Sequence, residues 1–176
     1  MDWQSSVSAK GIVGALARAI AVTRRNHALE HATVHILSRS SPTLRVVGRT
    51  TYNGFYLYGN LPASAVEAAA KQAVLELQSH PELAVHPRCG TNLAVMGLAA
   101  GTAAYIAGGV RTRHRIETLP QVLLASLLAL LAAQPLGAVV QERFTTSPRV
   151  AGARIGTVRR IQAGNVIGHF VPVSWD

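Results

Sequence analysis

The spacing of apolar and polar positions divides the chain into stretches with different periods. Over residues 8–37 Ala, Leu, Ile and Val recur without a proline, and Pro42 stands just beyond as a stop signal. This predicts one long N-terminal helix, or two with a break near Arg24. Its first half, residues 10–20, is short, apolar and flanked by basic side chains, which suits a helix lying in a membrane interface and equally an ordinary core helix. Residues 44–49 and 54–58 are rich in β-branched and aromatic types around Thr50-Thr51-Tyr52-Asn53, with an Asn-Gly pair at the end, and read as a β-hairpin. Pro62 opens residues 63–78, where apolar positions recur at helical spacing and Glu67, Lys71 and Glu76 supply a polar face, an amphipathic helix. It ends before Ser79-His80-Pro81, and residues 86–91, shaped by Pro87 and Gly90, form a tight loop.

Two further stretches, 89–110 and 118–141, carry no charged side chain, and each approaches the roughly 20 apolar residues needed to cross a bilayer. The second is rich in leucine. The first is largely Ala and Gly, with Gly97, Gly101, Ala104 and Gly108 along one face where a neighbouring helix can pack closely. A transmembrane helical hairpin is expected, two buried core helices being the alternative. Arg111, Arg113, His114, Arg115 and Glu117 would form its turn at one membrane face. Arg88 before the first span and Arg143, Arg149, Arg154, Arg159 and Arg160 after the second favour both termini on the cytoplasmic side. Residues 154–173 alternate small, β-branched and basic types around Ala163-Gly164-Asn165, a terminal two-stranded ribbon. The expected fold is an α+β membrane protein: long N-terminal helix, β-hairpin, amphipathic helix, transmembrane helical hairpin and short C-terminal β-ribbon. It is read as one unit over 1–176, with a metal-site region at 1–90, the hairpin at 91–140 and the ribbon at 141–176.

Composition sharpens this picture. At 176 residues the chain suits a single domain. With 49% hydrophobic and 14% charged residues it is more apolar than soluble domains, in which about a quarter of residues are charged. The formal net charge of +9 would suit nucleic acid or an anionic lipid surface. Aromatic residues make up only 5% and no basic run is interleaved with rings, so a lipid bilayer, not nucleic acid, is the expected partner. A membrane protein partner or a second copy of the chain stays open. The lone cysteine, Cys89, gives no reason to expect an oxidising compartment, and Met1-Asp2-Trp3-Gln4 does not begin a cleavable signal. The expected location is the cell membrane, multi-pass.

The strongest chemical signal is His27-Ala28-Leu29-Glu30-His31-Ala32-Thr33-Val34-His35 on the first helix. His27 and His31 are one turn apart, Glu30 lies on an adjoining edge and His35 continues the face. Two imidazoles at that spacing can chelate one ion, and a carboxylate beside them can be a ligand, orient one, or act as general base on water. The His-x-x-Glu-His order resembles the inverted zinc-protease motif. The plainer reading is a polar helix face with satisfied histidines. A second signal is His86-Pro87-Arg88-Cys89-Gly90-Thr91-Asn92, where imidazole and thiolate three positions apart can reach one metal, or where a rigid turn merely enters the membrane. No Ser-His-Asp triad, Walker loop or dinucleotide fingerprint is evident, though Cys89 with a histidine could act as a nucleophile without metal.

Taken together, Glu30-His31-Ala32-Thr33 preceded by His27, and His86-Pro87-Arg88-Cys89-Gly90-Thr91 entering an apolar span, resemble the YqhQ-like family of bacterial membrane proteins, regarded as metal-dependent enzymes. The resemblance covers about residues 24–110, and the chain looks like a shorter relative with its own hairpin, helix and ribbon. It implies His27, His31 and Cys89 as metal ligands, with His86 or His35 as alternates, and Glu30 as catalytic base. Zinc is preferred because mixed imidazole and thiolate ligands suit its borderline softness. Thr33, Thr91 and Asn92 are candidates to orient the ligands, or else to cap helices. The expected function is that of a membrane-associated zinc hydrolase, with a peptidase as the class in view. The alternative is a non-catalytic membrane protein with a structural metal site, a subunit of a larger complex.

Overall fold

The computed structural model describes residues 3–41, 43–109, 117–164 and 166–176, with side chains described from residue 11 onward except at 163. Pro42, Asn165 and the expected basic turn at 111–116 lie outside the described residues. The architecture is mixed α+β, with four α-helices and a five-stranded antiparallel sheet among the described residues. It falls into two compact units, one formed by Met1–Val85 with Thr146–Asp176 and the other by His86–Thr145.

In the first unit, α1 runs unbroken over Trp3–Ser40, its Arg39 in the last turn complementing the helix dipole. There is no break at Arg24. That residue instead fastens the returning chain, its guanidinium donating to the Thr146 carbonyl (3.0 Å) and its own carbonyl accepting from Ser147 N (3.0 Å). β1 (Val47–Thr51) and β2 (Gly54–Tyr58) form the expected hairpin across Tyr52-Asn53. Gly54 has φ +136°, and a side chain there would run into the Val171 carbonyl, so only glycine lets the next strand approach. α2 (Ala63–Ser79) comes next, and a 3-10 turn at Pro81–Ala84 leads out of it.

The last segment forms the expected ribbon, its strands paired antiparallel from Ala163 and Val166 outward, but the ribbon is not separate. β3 (Ala153–Ile155) and β4 (Arg159–Ala163) both pair with β5 (Val166–Trp175), and β5 also pairs with β2 over Gly54–Tyr58. The physical reason lies in the alternation. Phe55 and Leu57 of β2 share a face with His169, Val171 and Val173 of β5, and an isolated two-stranded ribbon could not bury that face. α1 and α2 cover it. Ala28, Leu29, Ala32, Ile36 and Leu37 from α1 meet Val66, Ala69, Ala70, Ala73 and Leu77 from α2, the alanines admitting a close helix approach. Arg39 bridges to Glu76 (2.7 Å) at the rim, and Glu67 accepts from Lys71 (2.7 Å) and from Val158 N (3.3 Å).

The first half of α1 stays outside this core. Ile12, Val13, Leu16 and Ile20 are all more than half exposed, against the reading of residues 10–20 as a core helix.

In the second unit, α3 (Gly90–Gly108) and α4 (Leu119–Val140) lie antiparallel: Asn92 meets Gly137, Ser126 Oγ reaches the Ala100 carbonyl (3.5 Å), and Gly108 faces Val122. A π-helical turn, Gln141–Thr145, extends α4, which also tolerates Pro135 in its interior. The glycine stripe is only partly the packing face. A Cβ at Gly97 or Gly101 would meet nothing within 4 Å, whereas the closest approach is at Gly137, where Asn92 Cα is 3.2 Å from such an atom. Both Gly90–Gly108 and Leu119–Thr145 are long and apolar enough to cross a membrane. At 1.5 Å per residue they measure about 28 and 40 Å against a hydrocarbon core of about 30 Å. Leu93, Leu98, Ile106, Leu123, Leu127 and Leu131 are each more than half exposed, and no α3 residue is buried, unlike a core helix.

Candidate metal centre

Asn26 sets the orientation of the histidine face. It is fully buried, its Nδ2 donates to the carbonyls of Thr51 (2.9 Å) and Tyr52 (2.8 Å), and its Oδ1 accepts from Trp175 Nε1 (3.1 Å). This pins α1 by rotation as well as position, because one side chain satisfies three partners on two strands' ends. Nothing in the sequence distinguished Asn26 from a surface amide.

One residue later the histidines begin. The rings of His27 and His31 are 4.3 Å apart between centroids. His31 is buried, and its Nδ1 lies 2.7 Å from the Ala84 carbonyl. A carbonyl only accepts, so in neutral His31 Nδ1 carries the proton and Nε2 the lone pair, the arrangement typical of a metal-ligating imidazole. His35 makes the analogous bond with the other nitrogen, Nε2 to the Val85 carbonyl at 2.9 Å, which commits Nε2 as a donor. The 3-10 turn at Pro81–Ala84 thus brings two carbonyls onto the histidine face.

Glu30 points elsewhere. Its carboxylate accepts from the Thr50 hydroxyl on β1 and lies over Gly48, where any side chain would overlap it. The glutamate is 6% exposed, so this contact docks a buried charge onto the sheet. Thr33, considered as an orienting donor, instead gives its hydroxyl to the Leu29 carbonyl of its own helix (2.6 Å).

The loop carrying the second motif belongs to the other unit. Cys89 is the N-cap of α3, its sulfur accepting from Thr91 N (3.4 Å), a position where the helix end favours negative sulfur. Asn92 Nδ2 donates to the Pro87 carbonyl (2.8 Å), and the buried Gln141 joins Asn92 Oδ1 (2.6 Å) to His86 N (2.9 Å). His86 Nδ1 accepts from Arg88 N (3.2 Å). Gln141, which sequence reasoning passed over, therefore holds the loop on the hairpin; its one signal was a polar residue closing a charge-free run. Of the other histidines, His80 pairs with Glu82 at the surface (3.1 Å), His169 sits in the core and His114 lies outside the described residues.

Four of the expected site residues, His27, Glu30, His31 and His35, thus lie in the first unit, and His86 and Cys89 in the second.

The family described as a domain of unknown function, DUF6391, matches residues 22–158. The chain belongs to this family. The DUF6391 segment takes in both motifs and both long apolar helices, and leaves out the exposed first half of α1 and all of β5. An uncharacterized protein of the cyanobacterium Picosynechococcus sp. (strain PCC 7002) is 31% identical over 173 residues, covering 90% of this chain and 82% of that protein. No solved structure matches the chain.

Proposed function

We propose that this DUF6391 protein is a membrane-anchored, metal-dependent hydrolase of the peptidase kind, in which His27, His31 and Cys89 bind one zinc ion. The observation that carries the reading is the His31 Nδ1 bond to the Ala84 carbonyl, which presents Nε2 as a ligand nitrogen one helical turn from His27. His27, His31 and Cys89 each offer one atom of a kind zinc accepts, and three protein ligands would leave a fourth position open, as hydrolytic zinc sites require. When bound there, zinc would supply a Lewis acid and make water a nucleophile at neutral pH. Glu30 would serve as the base, for which it must exchange its Thr50 contact for water. The resemblance of both motifs to the YqhQ-like family motivates the enzymatic part.

What supports a membrane hairpin with both ends on one side is the pairing of β2 with β5. These strands come from before and after the helical pair, so a single span would separate them by a bilayer; either both helices cross or neither does. The arginines flanking the pair then favour the cytoplasmic side for both termini.

A second reading is favoured by the docking of Glu30 on Thr50 and Gly48: zinc as a staple, with Glu30 a structural group. Metal content of the detergent-purified chain separates the cases. Wild type should carry one zinc per chain, and His31→Ala and Cys89→Ala should lose it. Glu30→Gln should keep it, and under the catalytic reading alone should also lose all turnover of a peptide substrate. Wild-type protein with no stoichiometric metal would end both readings.

A further inference from the structure

Away from the histidine face, the first unit holds a cleft of about 610 Å³ where the middle of α1 meets the β1–β2 turn and the end of β5. Its walls include Arg18 and Arg25, two turns apart on one face of α1, with Tyr52, Asn53, Trp175 and Asp176 opposite. The Arg25 guanidinium lies over the Trp175 ring at 5.2 Å. Among the described residues neither Arg18 nor Arg25 makes an ion pair. The acid in the lining, Asp176, is already neutralised by Arg154, which donates from Nε (3.0 Å) and Nη2 (2.7 Å) to its Oδ2. The cleft therefore presents two guanidinium groups with no charge of the described protein to answer them.

We infer that this cleft binds a phosphate-bearing ligand, Arg18 and Arg25 gripping the phosphate and the Tyr52 and Trp175 rings flanking the body attached to it. Two planar forks offer ten N–H donors, more than a carboxylate can use and well matched to the oxygens of a phosphate. Placing Arg25 on the indole orders it before the ligand arrives, which lowers the entropic cost of binding. A volume of about 610 Å³ exceeds one phosphate and suits a whole small ligand, within the usual range of roughly 300–1,000 Å³. The apolar stripe Ile12, Val13, Leu16 and Ile20 does not continue into the cleft. Counted at 100° per residue it lies on the far side of α1 from Arg18 and Arg25, so the ligand need not be a lipid. The shared chemistry is the phosphate, whether on a soluble ester or on a lipid head group.

Trp175 is the natural reporter, and the chain's other tryptophan is Trp3. Full-length protein carrying Trp3→Phe, purified in dodecylmaltoside, would be titrated with inorganic phosphate, with glycerol 3-phosphate, and with micelles doped with phosphatidylglycerol or with the phosphate-free lipid diacylglycerol. A saturable change in Trp175 emission with either soluble probe supports the inference and identifies a soluble phosphate compound as the source. A change confined to phosphatidylglycerol supports it with a lipid head group as the source. In either case Arg18→Gln, at an exposed position, should weaken binding at least tenfold, with an unchanged melting temperature. Arg25→Gln should weaken it similarly and also shift the emission of free Trp175. No saturable change with any probe, a change equal for both lipids, or wild-type affinity in Arg18→Gln would overturn it.

Discussion

Replacing Gly48 by alanine should destabilise the first unit through one buried contact. The added methyl occupies the space of the Glu30 carboxylate, which must rotate away and give up the Thr50 hydroxyl. A hydrogen bond to a charged group contributes about 1.5–3 kcal/mol, and the displaced carboxylate, 6% exposed at present, keeps its desolvation cost unless it reaches water. A loss of about 2 kcal/mol is expected, a fall in Tm of roughly 5–10 °C for a unit of this size. Thr50→Val removes the donor while keeping the shape of the side chain and should cost about as much. Glu30→Gln retains an acceptor oxygen and should cost less. The decisive test is compensation, because Glu30→Ala clears the space above Gly48. In that background Gly48→Ala should change Tm by no more than about 2 °C, giving a coupling of at least about 1 kcal/mol in the cycle. Trp175 fluorescence during thermal unfolding in detergent reads all of these variants. If Gly48→Ala is silent in wild type, or if its cost is the same with and without the Glu30 side chain, the account of Glu30 as the group docked on β1 is wrong.

Three other outcomes are expected from the structure. The protein should stay in membranes through alkaline extraction, and Leu127→Arg, at an exposed position in the second span, should impair insertion by about 2.5–3.5 kcal/mol; a folded, detergent-free monomer from the soluble fraction would refute the hairpin. Leu29→Ala should cost about 2–5 kcal/mol, since Leu29 is fully buried, whereas Leu16→Ala, 59% exposed on the same helix, should stay within about 0.5 kcal/mol in thermal melts. Glu67 titrates below the ordinary carboxylate value because of its hydrogen bond with Lys71 and then that from Val158 N, and Glu76 because of its bonds with Arg39 and then Gln72. Both bind protons less readily folded than unfolded, so their contribution is full above the ordinary value and is lost as pH falls through the lowered one. The protection factor of the Val158 amide, its exchange relative to the intrinsic rate at each pH, should therefore fall in acid, and Glu67→Gln should remove that dependence.

The elements built from local periodicity were legible in the sequence: the hairpin announced by Asn53-Gly54, α2 with its alanine stripe, and both charge-free helices. What periodicity leaves out is the partner. Spacing places Gly97, Gly101 and Gly108 on one face of α3 but cannot say which face meets α4, and the packing falls at Gly108 and at Gly137 opposite Asn92. β5 read as half of a ribbon because its pairing with β2 crosses the whole helical pair. At the candidate site, the histidine spacing on α1 was visible. The tautomer of His31 and the docking of Glu30 were not, because Ala84, Gly48 and Thr50 carry no chemical signature until the fold brings them to the helix. Asn26 and Gln141 went unnoticed for the same reason, single amides whose roles are set by distant carbonyls and amides.

The position of β5 also sets a timetable for synthesis. A ribosome releases Phe55 and Leu57 well before Val171 and Val173, the residues that complete their face, and in the interval it must deliver both apolar helices. Closing so distant a pairing is entropically costly and slow. Until it closes, β2 presents an open edge and an uncovered apolar surface to water or to other nascent chains. Handing α3 and α4 promptly to a bilayer would bring Thr146 and the three strands beyond it back beside α1 and shorten that exposure. The same pair of helices would then act as a tether that hastens assembly of a sheet to which it contributes no strand.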